Sequence, residues 1–148
     1  MYTDPLSHLP DPQRQTAFYD GVTVKRGIAW VIDFVIVAML VLPAILFTAF
    51  IGLFFLPVLF LMIGFAYRVL TIAAGSATWG MRMMAIEFRN ARGERLDLAQ
   101  AFFHTLGYTV SISIPVVQAA SIICMFVTER GQGLTDLALG TVALNRRA

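Results

Sequence analysis

Residues 27–70 read GIAWVIDFVIVAMLVLPAILFTAFIGLFFLPVLFLMIGFAYRVL, 44 residues with only two charged side chains, Asp33 near one end and Arg68 near the other. A soluble domain of this size has no room to hide such a run. A helix rises about 1.5 Å per residue and crosses a ~30 Å hydrocarbon core in roughly 20 residues. The stretch therefore predicts two crossings joined by a tight turn. The two charges inside it carry the other half of the information, because an ionisable group at membrane depth is costly and has a partner or a task.

The rest of the chain agrees. Of its 148 residues 58% are hydrophobic and 14% charged, against about 25% charged in an ordinary soluble domain. The length allows one domain. A formal charge of +2 and a pI near 9.0 are too mild to suggest nucleic acid. Cys124 is the single cysteine, which excludes an internal disulfide and a cysteine-based metal site. Set among Ile122, Ile123 and Met125, it reads as a small apolar residue. Residues 1–25 are polar, with Pro5, Pro10, Pro12 and three aspartates, and lack the apolar core of a cleaved signal. They are expected to form a flexible cytoplasmic tail ahead of one transmembrane domain, residues 26–148.

The first helix is expected from near Gly27 to about Phe47 and the second from about Leu53 to Ile72, with Thr48–Gly52 as an uncharged turn. Pro43 and Pro57 fall inside the spans, where membrane helices tolerate them. Gly75 is placed to end the second helix. Beyond it comes a polar section, in which Met84, Ile86 and Phe88 alternate with Met83, Ala85 and Glu87 before the turn residues Asn90-Ala-Arg-Gly93. This pattern predicts a short strand and hairpin near the membrane surface. Asp97 with Gln100 three residues on resembles a capping box and starts another helix. From Leu98 to Thr128 there are 31 uncharged residues, about 46 Å as helix, too long for one upright span and too short for two. Two arrangements fit. Either 98–106 lies along the interface and 107–127 crosses once, or the helix breaks near Pro115 and two halves dip in and return.

Arg14, Lys25 and Arg26 precede the first helix, Arg82, Arg89, Arg92 and Arg95 come after the second, and the turn between them has no cation. The positive-inside rule puts the N-terminus and the central section in the cytoplasm. Trp30, Tyr67, Trp79 and Tyr108 fall near that face, as an aromatic belt would. Arg130, Arg146 and Arg147 ask for a cytoplasmic C-terminus as well, and the strand-like Thr141-Val-Ala-Leu144 has its natural partner in the 84–88 strand.

Arg26 and Asp33 are two helical turns apart on one face, about 10.5 Å along the axis. Arg26 can snorkel to water. Asp33, ~9 Å deep, would cost about 2.5 kcal/mol or more unpaired. Arg68 lies ~6 Å from the same side on the neighbouring antiparallel helix. An Asp33–Arg68 ion pair with Arg26 nearby is the expected geometry, serving either as a staple between helices or as part of an ion or proton path. Asp136, an acid among Leu134, Leu137 and Leu139, needs a partner; the arginines of the central section are nearest in topology, and it reads either as a surface bridge or local cap or as a third member of a conducting or gating group. His104 reads as a packing residue or a pH-responsive group. Ser111, Ser113, Gln118 and Ser121 read as interhelical hydrogen-bonding groups or as the lining of a polar cavity. The glycine spacing of Gly75-Ser-Ala-Thr78-Trp-Gly80 lacks the Lys-Ser/Thr of a phosphate loop. Thr78, Arg82, His104 and Gln118 are secondary candidates. No catalytic pair, metal cluster or cofactor motif is placed, so no enzyme is expected.

Together these residues resemble the RDD family of membrane proteins, named for an Arg and two Asp. The matching residues are Arg26, Asp33 and Asp136, supported by the Gly75–Gly80 stretch, by Met83-Met-Ala-Ile-Glu-Phe88, and by Gln132-Gly-Leu-Thr-Asp136-Leu-Ala-Leu-Gly140-Thr-Val142. Met81 stands where the family commonly has Lys, and Thr135 where a His commonly precedes the last Asp. The resemblance implies a polytopic, mostly bacterial plasma-membrane protein for which transport has been suggested, including cation–proton exchange in some members. Two function classes are open. One is a small transporter or exchanger using Asp33, Arg68 and Arg26, moving a proton or monovalent cation. The other is a non-transporting scaffold or accessory subunit bound to anionic lipid or a partner protein. So small a chain is expected to need a second copy or a partner membrane protein, with Ala73, Ala77, Ala119 and Ala120 as small-residue contacts.

Overall fold

The structure is a computed structural model and describes residues 9–146. Pro5 and Arg147, which entered the sequence reading, lie outside the described residues. Helix α1 runs Val22–Phe47, opened by Gly21 in the left-handed region at φ 66°. It begins five residues before Gly27, because the segment ahead of it is packed over residues 9–20 and not free as the expected tail. Leu9 is buried with Val142 and Leu144, and Phe18 and Tyr19 pack on them. The Asn145 amide donates to the carbonyls of Ala17 and Asp20, at 2.8 and 2.9 Å.

From Ala29 onward the buried residues of α1 recur every four positions: Ala29, Asp33, Val37, Val41, Ile45. That spacing stacks them in one row on the helix surface. The row packs on α2, Leu56–Gly75, through Leu59, Phe60, Ile63 and Tyr67. Pro57 lies inside the second span as expected, in the first turn of α2, where its missing N–H removes no helical bond. The connecting 3-10 turn Ile51–Phe55 is pinned by Thr48, whose Oγ1 accepts from Gly52 N at 3.1 Å. The opposite faces carry Phe34, Met39, Leu42, Phe54 and Met62, all exposed. Only 22% of the most apolar window of the first helix and 6% of that of the second is buried inside the chain. Apolar surface on this scale requires a lipid neighbour. These are two helices long and apolar enough to cross a membrane.

Past α2, Ser76 takes the left-handed position expected of Gly75, at φ 59°. Its Oγ donates to Phe88 O at 2.6 Å and accepts from Leu96 N at 3.0 Å, tying the helix end to both sides of the polar section. Gly75 is needed for a different reason: a Cβ there would stand 2.7 Å from the Arg82 guanidinium. Residues Trp79–Met83 wind into a short helix α3, capped by Thr78, so the strand begins at Ile86. Strand β1, Ile86–Arg89, pairs antiparallel with β2, Val142–Asn145, in the register Ile86↔Asn145 and Arg89↔Val142. The Asn90–Gly93 turn leads into the next helix and not into a local second strand.

Helix α4, Leu98–Ser113, carries the complete capping box of Asp97 and Gln100. Ile114 is extended, as the residue before a proline prefers, and α5, Pro115–Val127, leaves at 117° to α4. Both ends of this bent pair lie beside the start of α1 and the end of α2. Thr23 donates to Met125 O at 3.1 Å, while Leu96 bonds Ser76. The broken, returning arrangement is therefore the one formed. Helix α6, Leu134–Leu139, ends at Gly140 in the left-handed region, φ 70°, and hands the chain to β2. The N-terminal segment, the central section and the C-terminal strand thus gather at one end of the α1–α2 pair.

Candidate functional site

Asp33 is buried in the α1 row, 6% exposed. Its Oδ1 accepts from the Tyr67 hydroxyl at 2.6 Å and Gly80 N at 2.9 Å, and its Oδ2 from Thr78 Oγ1 at 2.6 Å. Gly80 is what lets α3 approach: a Cβ there would be 2.3 Å from Ala29 O and 2.8 Å from Asp33 Oδ1. Three donors satisfy a carboxylate without an opposite charge. The expected Asp33–Arg68 ion pair is not formed. Tyr67 and Arg68 are about 100° apart around α2; Tyr67 faces α1 and takes Asp33, and Arg68 turns toward α4.

Asp136 holds the closer-knit group. Arg26 Nη1 donates to its Oδ2 at 2.6 Å, Gly133 N to the same oxygen at 3.1 Å, and Thr141 Oγ1 to Oδ1 at 2.8 Å. His104 Nε2 lies 2.8 Å from Oδ1. Burial alone would push this carboxyl up from its ordinary 3.8; the Arg26 charge and the His104 bond outweigh it and hold it well below the usual carboxylate range. Asp136 is an acceptor only, so His104 Nε2 is the donor. Nδ1 of His104 is buried with no hydrogen-bond partner. Phe88 lies against both side chains, its ring 4.3 Å from the His104 ring and 5.4 Å from the Arg26 guanidinium carbon. The partner of Asp136 is thus the Arg at the start of α1, not one of the central arginines.

Arg68 stacks on Tyr108, its guanidinium carbon 3.9 Å from the ring centroid. The Tyr108 hydroxyl accepts from Trp30 Nε1 at 2.6 Å. Tyr67 and Tyr108, expected in an interfacial belt, point inward to the charges. Arg26, Asp33, Arg68, His104, Gln118 and Asp136 all line one chamber of about 590 Å³. Gln118 accepts there from Ser111 at 2.7 Å. Thr78 reaches Asp33 from outside the lining. Arg82 braces the end of α2 by donating to Thr71 O and Ala77 O, at 2.9 and 3.2 Å. Ala77 is fully buried and so not free for a helix contact with a second copy, and Ala73 is partly buried against the same cluster. Among the described residues no group of three His, Cys, Asp or Glu is placed to hold a metal ion.

Sequence reasoning missed Tyr67, Gly80, Thr141 and Tyr108 as members of these networks. The first three donate to the two aspartates and the last carries Arg68. Gly80 and Thr141 lie inside the quoted motifs; nothing in the local sequence singles out the two tyrosines.

The residues that carried the resemblance, Arg26, Asp33 and Asp136, therefore converge on one chamber from α1 and α6. The RDD family model matches residues 21–140. The chain belongs to the RDD family. No curated protein and no solved structure matches it. It is a helical membrane protein with two spanning helices, a bent third pair and a two-stranded sheet. The family's usual Lys and His positions hold Met81, which packs in the core beside α1, and Thr135, which fills the space over Gly107.

Proposed function

We propose that this RDD protein is a small transporter of the bacterial inner membrane, with the chamber as its path for a proton or monovalent cation. One observation carries the reading. Five ionisable side chains and Gln118, drawn from α1, α2, α4, α5 and α6, line a single cavity. Charges kept only as staples would be expected in separate closed pairs. Asp33 is the group that takes up and releases the proton: its donors are neutral, so the carboxyl can gain a proton without breaking an ion pair. Arg68 balances its charge from across the chamber. The end that gathers residues 9–25, β1 and β2 faces the cytoplasm in this reading, since it carries Arg82, Arg89, Arg92 and Arg95. A second copy or a partner membrane protein completes the path.

The test is proton movement in proteoliposomes on addition of sodium, lithium or potassium, for the natural chain and for Asp33→Asn. Asn keeps the acceptor for Tyr67 and Gly80, so the variant is expected to stay folded and lose cation-dependent flux. Flux unchanged in a folded Asp33→Asn protein would remove Asp33 from the path.

A second reading is a non-transporting module whose basic face sits on anionic headgroups. It is favoured by the surface around Glu87, where Arg89, Arg95 and Arg146 all lie within 4 Å of one carboxylate, at 2.5, 3.8 and 3.8 Å, leaving an excess of positive charge. Silence of both chains in the flux assay would favour it.

A further inference from the structure

Among the described residues no oxygen accepts a hydrogen bond from the Arg68 guanidinium. Its Nε is buried and has no hydrogen-bond partner. Among the described residues no carboxylate comes within ion-pair distance of it. The nearest acids are engaged elsewhere, Asp33 by three donors and Asp136 by Arg26, His104, Thr141 and Gly133. Yet the guanidinium is held over the Tyr108 ring, which Trp30 fixes in turn. A guanidinium oriented by a ring, with its N–H edge free, is suited to two oxygens of a carboxylate or phosphate.

The surroundings say how such a group arrives. Arg68 lies where the polar chamber meets a second one of about 510 Å³, and Trp30, Asp33, Tyr108 and Ile112 are shared between them. The second chamber runs between α1, α2 and α4 along Val37, Phe60, Leu61 and Phe65, away from Arg26, His104 and Asp136. Phe34 and Leu61 in its wall are also exposed on the lipid-facing surface, at 52% and 44%. A free inorganic anion gains nothing from such a wall; an acyl chain does.

We propose that this is a binding site for an anionic acyl lipid, with the acid headgroup on Arg68 and the chain in the apolar chamber. The site shares a wall with the proposed path but requires no flux, so a failure of transport leaves it standing.

The test reads Trp30, the tryptophan at the junction. The chain has two tryptophans, so Trp79→Phe leaves one reporter. This protein in phosphatidylcholine vesicles is titrated with a fatty acid brominated in mid-chain, with phosphatidic acid brominated likewise, and with the matching brominated alcohol. The acids are expected to quench Trp30 saturably, at concentrations at least tenfold below the alcohol. Arg68→Gln should abolish that preference, and Arg68→Lys, which keeps the charge without the fork, should retain a preference of severalfold. Thermal unfolding of both variants separates lost binding from lost fold; if the Gln variant does not fold, the Lys variant decides. Equal quenching by acid and alcohol would overturn the proposal. So would an undiminished preference in the folded Lys and Gln variants, or displacement of the lipid by inorganic phosphate as readily as by an unbrominated fatty acid.

Discussion

Replacing Arg26 by Met keeps much of the side chain's bulk and removes the charge from Asp136. Arg26 and Asp136 are 13% and 1% exposed and 2.6 Å apart. Removing one partner of such a pair costs about 3–5 kcal/mol, because the other charge stays buried. Asp136 keeps His104, Thr141 and Gly133 as donors, which places the expected loss at the lower end, about 3 kcal/mol. Adding Asp136→Leu should recover part of it, since no charge is then left uncompensated. The pH dependence gives a second check. In the natural chain the folded-state carboxyl lies below its ordinary 3.8, so its contribution is complete above that value and is lost as pH falls through the folded value. In Arg26→Met the Arg26 charge no longer opposes burial, so the carboxyl lies higher than in the natural chain and acidification costs that folded state less. The stability gap between the two chains should therefore narrow as pH falls through the carboxylate range. Equilibrium unfolding in mixed micelles at several pH values measures both effects. A loss below about 1 kcal/mol, or a gap that ignores pH, would refute the assignment of Asp136 as a buried carboxylate held by Arg26.

Gly80→Ala should destabilise by about 1–3 kcal/mol, since its Cβ would meet Ala29 O and Asp33; Gly27→Ala, with nothing within 4 Å, should be neutral or stabilising by up to ~1 kcal/mol, both read from thermal midpoints. Ser76→Ala strands the Leu96 N–H and should cost about 1–3 kcal/mol, whereas Ser113→Ala, whose hydroxyl only bonds its own helix at Thr109 O, should unfold with the natural chain. In a Cys124→Ala background, Glu94→Cys and Glu129→Cys should react with an impermeant maleimide from the same side of the membrane and Ala49→Cys from the other; labelling of positions 94 and 129 from opposite sides would exclude the returning α4–α5 pair.

Much of the fold was legible because its causes are local. The apolar run of residues 27–70, the Asp97–Gln100 capping box and the strand-like 142–144 each carry their signal within a few neighbours, and each forms the element expected. Element starts were less legible. Residues 79–83 coil into a helix because Thr78 caps them and Asp33 takes Gly80, contacts made with a helix 47 positions away. The N-terminal segment looked like a tail because its polar residues say nothing of Leu9 and Phe18 finding β2.

The candidate site divides the same way. The sequence by itself determined which charges stand in or beside apolar stretches and that such charges must be answered, so Arg26, Asp33, Arg68 and Asp136 stood out at once. Only the tertiary structure decided who answers whom. Depth along a helix comes from residue count, and it set Asp33 near Arg68, with which it lines both chambers. Direction around the helix, and which neighbour stands there, comes from packing. Gly80 brings α3 within reach of Asp33, the bend at Ile114 returns α6 to the start of α1 so that Asp136 meets Arg26, and Arg68 is left on Tyr108, facing the open chambers.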